Sequence, residues 1–392
     1  MTATVDPKVI EDLKKYGGKE TTACFNCGNC TAICSLSSEK IPFPRRAIRY
    51  MQLGLKEKLK ECPEPWLCYY CGDCTETCPR NAHPGEVMMA LRRYTTSLYD
   101  WTGISRLFYK SKVFEILSII IIAGLIALGF YFFHGPIVTD KVALNVFAPN
   151  TTIELLDLGL LVLLSFFLLT NGYRLLKAMM RNPQEWPEVL SVPGGKEKAK
   201  DIKIPFGVYI SEFKTLIYHF FTQRRFLDCE SKTQKVQWFV HFLIMTGYAI
   251  VFLLVVVGIR WFQRDEILPI WNPFRFLGYY ATFALLYGVT YAIIGRIKKS
   301  KTVYEFSHST DWVFLIMLWL TTFSGILIHV ARLLEWPLTT YYIYVIHLMI
   351  AVPMLLLEVP FAKWTHLLYR PLVQYLVKVR ERVLKEYGIL QK

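Results

Sequence analysis

The sequence predicts a mainly α-helical chain in two unlike parts: a polar N-terminal domain over about residues 1–105 and a six-span membrane bundle over 106–392. Three observations carry this. Hydrophobic residues make up 53% and charged residues only 19%, with a mean hydropathy of +0.31, whereas soluble domains hold nearer a quarter charged residues. Nine of the ten cysteines fall between Cys24 and Cys78. Six apolar stretches follow the cysteine-rich part, each close to the roughly 20 residues a helix needs to cross a bilayer.

In chain order, MTATVDPKVIEDLKKYGG is charged and amphipathic and has no apolar core before a small-residue cleavage site. A secretory signal is therefore not expected, and the cysteines are placed in the reducing cytoplasm, where they point to metal rather than disulfides. The run Cys24-x2-Cys27-x2-Cys30-x3-Cys34 recurs as Cys68-x2-Cys71-x2-Cys74-x3-Cys78, the second followed by Pro79. Such spacing wraps three thiolates round one 4Fe-4S cube and sends the fourth to a neighbouring cube. One cluster is predicted on Cys24, Cys27, Cys30 and Cys78, the other on Cys34, Cys68, Cys71 and Cys74. Structural zinc also favours paired C-x2-C units, but a third cysteine three residues on suits independent tetrahedra poorly. Crossed ligation would also staple a domain with a thin core.

Between and after the motifs, PFPRRAIRYMQLGLKEKLKE reads as a helix opened by Pro44, and HPGEVMMALRRYTTSLYDW as another after Pro84, giving an α-helical ferredoxin-like domain. Arg45, Arg46, Arg92 and Arg93 are expected on solvated helix faces, with docking of an acidic partner as the alternative. Cys62 and Cys229 lie outside the motif and read as structural thiols.

Spans are predicted at about 113–134, 153–174, 236–258, 277–296, 312–334 and 339–361. Flanking Lys and Arg number 23 on the side shared with the N-terminal domain and five on the other, which predicts cytoplasmic N- and C-termini. The net charge of +14 is then explained by topology and anionic lipid, and nucleic acid is not expected. Trp261, Trp271, Trp336 and Trp364 lie near span ends as interfacial anchors. In the long inner loop, about 178–235, the amphipathic IPFGVYISEFKTLIYHFF is expected along the membrane surface.

Ionisable groups within a span are costly and therefore candidates for function. Haem in a bundle needs imidazoles from facing helices at matching depth. His241 and His366 match near the inner face, and His329 and His347 near the outer, which predicts two b-type haems, one per pair. The competing reading for each is a polar residue satisfied by a carbonyl or headgroup. His308 and Glu358 are candidates for quinone or proton chemistry, and Asp157 and Glu335 are further membrane ionisables. His83, His134 and His219 read as peripheral.

PRRAIRYMQLGL followed by WLCYYCGDCTETCP resembles the small iron–sulfur subunit (C) of heterodisulfide reductases. WFVHFLIMTGY and HLMIAVPMLLLEVPFAKWTH resemble the cytochrome b membrane subunits of that system and of respiratory nitrate reductase. Their fusion is similar to the C subunits of quinone-interacting membrane-bound oxidoreductase complexes of sulfur-metabolising prokaryotes. The resemblance implies electron exchange between menaquinone and adenylylsulfate reductase through flavin-containing A and B subunits. It departs in two places: Cys34 lacks the proline that follows Cys78, and Val251 stands one motif spacing after His241, where nitrate-reductase types carry a second histidine. No G-x-G-x-x-G flavin fingerprint and no CCG cysteine cluster occurs, so substrate chemistry falls to partners. The alternatives are a subunit feeding a heterodisulfide reductase or a sulfite-reductase-linked complex, or a membrane anchor or redox sensor without haem.

Overall fold

The computed structural model describes residues 4–18, 20–38, 41–227 and 232–391, and the described residues form helices and no strand. The N-terminal part folds as short helices, Val9–Lys15, Asn29–Ile33, Arg45–Gln52, Lys56–Lys60, Glu64–Leu67 and Asp73–Glu76, laid on one longer helix, Pro84–Tyr99. The helix expected from Pro44 is broken at Gly54, whose φ of +65° stops the first segment. Leu13, Tyr16, Ile48, Met51, Leu59, Trp66, Met88 and Tyr99 are buried as its core.

That core does not close on itself. Leu175 and Met179 at the end of the second span join the same apolar cluster, with Tyr369, Val373, Leu376, Val379 and Val383 of the C-terminal helix His366–Glu386. Those positions recur at helical spacing and give the tail one apolar face. Arg380 is buried on this face, donating to the Met179 carbonyl and lying 4.9 Å over the Trp186 ring. A tail that reads as merely basic thus completes the first domain.

Six helices are long and apolar enough to cross a membrane: Lys112–Phe133, Asn150–Met180, Lys235–Val256, Pro273–Lys298, Ser309–Leu333 and Pro337–Phe361. The sixth is central, packing against the first, second and fifth, while the fourth bridges the third and fifth. Pro273 and Pro337 open their helices where no N–H partner is needed. His308 and Asp311 form a reciprocal cap at the start of the fifth span.

The sixth span ends at 361 as expected, but HLMIAVPMLLLEVPFAKWTH, which reads as one helix carrying both Glu358 and His366, is divided between two. Pro360, which has no amide proton to donate, ends the sixth span at Phe361. A tight turn, Lys363–Thr365, follows, and His366 opens a new helix.

In the long loop, Phe206–Thr222 is helical as expected and packs on the C-terminal helix, Tyr375 donating to the Tyr209 carbonyl at 2.8 Å. Phe206, Ile210, Phe213, Ile217 and Phe221 are left exposed along it. Cys229 and the side chains of Arg225 and Lys232 lie outside the described residues.

Candidate metal centres and the bridge between them

The two cysteine runs fold alike. Two residues after the first cysteine of each, Asn26 (φ +61°) and Tyr70 (φ +57°) take left-handed backbone, and two residues later Gly28 (φ +91°) and Gly72 (φ +101°) do so again. These turns curl each loop round its sulfurs and open the short helices Asn29–Ile33 and Asp73–Glu76, which pack against each other. Asn29 Nδ2 ties them by donating to the Thr77 carbonyl at 2.5 Å.

The packing crosses the fourth cysteines over. Burial raises the Cys30 thiol, and its nearby thiols are Cys24, Cys27 and Cys78. Burial also pushes Cys74 up, next to Cys68, Cys34 and Cys30. Cys34, Cys68, Cys71 and Cys74 line one cavity of about 300 Å³, closed by Phe43 and Met88 among others. Among the described residues, no three His, Cys, Asp or Glu side chains form a group fit for a single metal ion. A cavity lined by four thiols suits a multi-atom cluster better than zinc, whose ligands stand about 2.3 Å from one ion. Backbone amides of Tyr70 and Ala82 donate to Cys68 Sγ (3.3 Å) and Cys78 Sγ (3.4 Å), bonds of the kind that set cluster potentials. Cys27 is exposed, whereas Cys68 is buried towards the membrane half.

The structure brings His241 and His366 together, with ring centres 6.1 Å apart. Two imidazoles bound to opposite sides of one metal through bonds of about 2.0 Å place their ring centres about 6 Å apart. Each Nδ1 meets an oxygen, Gln223 Oε1 at 2.7 Å for His241 and the Lys363 carbonyl for His366. Such bonds select the tautomer in which Nε2 carries the lone pair, the usual support of a ligating histidine. The inner pair therefore fits a bis-imidazole haem.

His329 and His347 are not paired in this way. His329 Nε2 meets the Tyr279 hydroxyl at 2.7 Å and Arg275 at 3.3 Å, both on the fourth span. His347 Nδ1 meets Ser324 Oγ at 2.9 Å, with its ring beside Gly325. Matching depth along two helices does not by itself make two rings face each other, and each ring is engaged here by side chains of the fourth or fifth span.

The remaining predicted residues fall as follows. His308 caps the fifth span, its Nδ1 facing Thr310 and its Nε2 the Lys15 carbonyl at 3.2 Å. Burial, then Arg93, pulls it down to about 4, so it is neutral near pH 7. Cys62 is buried and donates to Glu64 Oε2 at 2.7 Å, a structural thiol as expected. Arg45 is exposed, but Arg46 pairs with buried Glu64 and Arg92 donates to the Pro65 and Cys68 carbonyls, while Arg93 is buried, so the expectation of four solvated arginines is corrected. His83 stacks on Phe306 and His134 on Phe147, both peripheral to the two centres.

Sequence reasoning missed what joins the centres. Arg370, one turn beyond His366, donates to the carbonyls of Trp66 and Cys68, each at 3.2 Å, and lies 5.1 Å over the Tyr69 ring. The helix that opens with one candidate haem ligand thus grips the loop that carries the second quartet. Beside this grip runs a buried polar chain. Tyr70 donates to Glu86 (2.6 Å), Glu86 pairs with Arg93 (3.5 Å), and Arg93 pairs with Asp311 (2.8 Å), which also pairs with Lys363. The Lys363 amide donates to Glu358 Oε2 at 3.0 Å. One signal was available: Glu86 and Arg93 stand seven residues apart on the apolar face of the Pro84–Tyr99 helix, where charge needs a partner.

Residues 12–83 match the 4Fe-4S dicluster domain family. A protein of Archaeoglobus profundus that is itself like the C subunit of heterodisulfide reductase is 36% identical over 96 residues, 24% of this chain and 51% of that protein. The C subunit of the H(2):CoB-CoM heterodisulfide,ferredoxin reductase of Methanothermobacter thermautotrophicus is 35% identical over 89 residues, 22% of this chain and 48% of that protein. The E subunit of the dihydromethanophenazine:CoB–CoM heterodisulfide reductase of Methanosarcina mazei is 28% identical over 173 residues, 41% of this chain and 65% of that protein. The chain spans about half the length of the first two relatives and just under two thirds of the third. No solved structure matches it. The chain therefore joins an iron–sulfur domain similar to the C subunits of heterodisulfide reductases to a multi-pass membrane part, as an oxidoreductase component.

Proposed function

We propose that this chain carries electrons between a lipid-soluble carrier in the membrane and partner subunits docked on its iron–sulfur domain. The observation that carries the reading is the Arg370 grip: the helix opening at His366, whose ring stands opposite His241, holds the Cys68 loop by two carbonyls. In this reading Cys24, Cys27, Cys30 and Cys78 hold one 4Fe-4S cluster, Cys34, Cys68, Cys71 and Cys74 the other, and His241 and His366 one haem b. Bound there, these groups supply one-electron exchange.

The chain's own residues set the conditions for it. Arg92 and Arg370 converge on the Cys68 carbonyl and place two cations beside the second quartet, which favours its reduced state. Gln223 and the Lys363 carbonyl hold both imidazoles in orientation, and a haem held by the two would serve electron exchange rather than substrate binding. Cys27, exposed beside Phe25, Arg45 and Arg80, offers the face for a soluble partner. The excess of Lys and Arg on the near side favours a cytoplasmic position for this domain and both termini.

The relatives' names favour a partner of the heterodisulfide reductase kind over adenylylsulfate reductase. The carrier is menaquinone or another two-electron, two-proton lipid carrier; the name of the third relative gives dihydromethanophenazine for that protein. The deciding experiment is a reduced-minus-oxidised spectrum of the purified chain and of His241→Ala, His366→Ala and His329→Ala. One b-type band should vanish in each of the first two and survive in the third. A chain without any haem band would leave only a membrane-anchored iron–sulfur protein.

A further inference from the structure

Where the domains meet, the polar groups are not all satisfied. Glu86, Asp311, Glu115 and Glu358 gather with the cations Arg93, Lys363 and Arg296, and the exposed Lys112 lies at the rim near Glu115. Asp311 takes both Arg93 and Lys363, and Glu86 takes Arg93 and the Tyr70 hydroxyl. What is left over is the pair towards the apolar side, Glu115 on the first span and Glu358 on the sixth, each 1% exposed. Glu358 Oε2 accepts the Lys363 amide at 3.0 Å, but Glu358 Oε1 and Glu115 Oε1 are buried without a hydrogen-bond partner.

Few charged groups face this pair from the elements around it. The first span brings Glu115 and the exposed Lys112, and the Ile104–Lys110 helix brings Tyr109. The fifth span brings Asp311 and the fourth Arg296; the Pro84–Tyr99 helix brings Arg93 and Glu86, the turn Lys363, and the C-terminal helix Tyr369. The second span packs the ring of Phe167 against Phe361 and buries Asn171 one turn further on. A buried carboxylate oxygen that nothing donates to is costly, and Glu115 Oε1 and Glu358 Oε1 are two such atoms. A proton bound by the pair satisfies them.

We propose that Glu115 and Glu358 form a redox-linked proton site, binding one proton when an electron reaches the His241–His366 centre. This rests on the haem reading above. Lys363 makes the link: its amide donates to Glu358 and its carbonyl accepts from His366 Nδ1. Glu115 also bonds Ser309 at the near-side end of the fifth span, so it supplies the route from water. The balance is one electron onto haem iron, taken from the reduced lipid carrier or in vitro from a chemical reductant, and one proton from near-side water onto the Glu358 carboxylate. The arriving negative charge is neutralised locally, so reduction is easier at low pH.

The test is a spectroelectrochemical titration of the haem in the full chain in liposomes, between about pH 5.5 and 8.5, for wild type, Glu358→Gln and Glu115→Gln. In wild type the midpoint should fall as pH rises. In Glu358→Gln the dependence should flatten with the haem band unchanged, and redox-difference infrared spectra should lose a carboxyl C=O signal; Glu115→Gln should weaken both effects. An unchanged pH dependence in both variants, with haem intact, overturns the proton site and leaves the haem assignment standing. Wild-type protein without haem removes both.

Discussion

Replacing Asp311 with alanine should loosen the iron–sulfur domain from the membrane part. Asp311 is 4% exposed and receives Arg93 Nη2 at 2.8 Å, Lys363 Nζ, and the His308 amide at 3.2 Å. Breaking a buried ion pair by deleting one partner costs about 3–5 kcal/mol, because the other charge is left buried and uncompensated. At about 1.4 kcal/mol per decade, the opening constant of the contact should rise roughly 10²- to 4 × 10³-fold. Amide hydrogen exchange reads this directly: the first turn of the fifth span and the Tyr16–Gly18 turn, whose Tyr16 carbonyl accepts from Arg93, should exchange faster by that factor. Asp311→Asn, which keeps an acceptor, should fall between. The double variant Arg93→Ala/Asp311→Ala should lose far less than the sum of the two singles. Additive effects, or unchanged exchange in Asp311→Ala, would refute the idea that this pair holds the two parts together.

Two further outcomes are expected. Cys34→Ser should perturb the paramagnetic signal of the cluster held with Cys68, Cys71 and Cys74 while sparing the other, because the short helices cross the fourth cysteines over; perturbation of the Cys24 cluster instead would mean uncrossed ligation. His308 titrates near 6.5 when unfolded and about 4 when folded, because burial and Arg93 oppose its protonation. The unfolded chain therefore binds the extra proton between those values, so this contribution to stability is complete above pH 6.5 and is lost as pH falls towards 4. In His308→Gln, thermal midpoints should fall less steeply over that window than in wild type.

The membrane helices were legible in the sequence because length and hydropathy alone define them, and their observed ends lie within a few residues of those expected, apart from the far end of the second, which runs on to Met180. The motif likewise foretold the gathering of Cys78 with the first run and Cys34 with the second. The inner histidine pair could be read from depth because both rings sit at a common helix end. For the outer pair, depth fixes height and says nothing of rotation about the helix axis, and His329 turns to the fourth span. Nor could the Arg370 grip be read, since it joins residues some 300 positions apart in sequence. The separate helix opening at His366 was missed because HLMIAVPMLLLEVPFAKWTH reads as one run, although proline inside a run is itself the warning.

The late-arriving helix that fills the N-terminal core has a consequence for biosynthesis. A ribosome releases the first hundred residues long before it reaches His366, and all six spans must be inserted in the interval. Until then Trp66 and Tyr99 lack the Tyr369 ring they bury against, and the Cys68 loop lacks Arg370. The second thiol quartet thereby gains its Arg370 contact only once the helix that opens at His366 has been made.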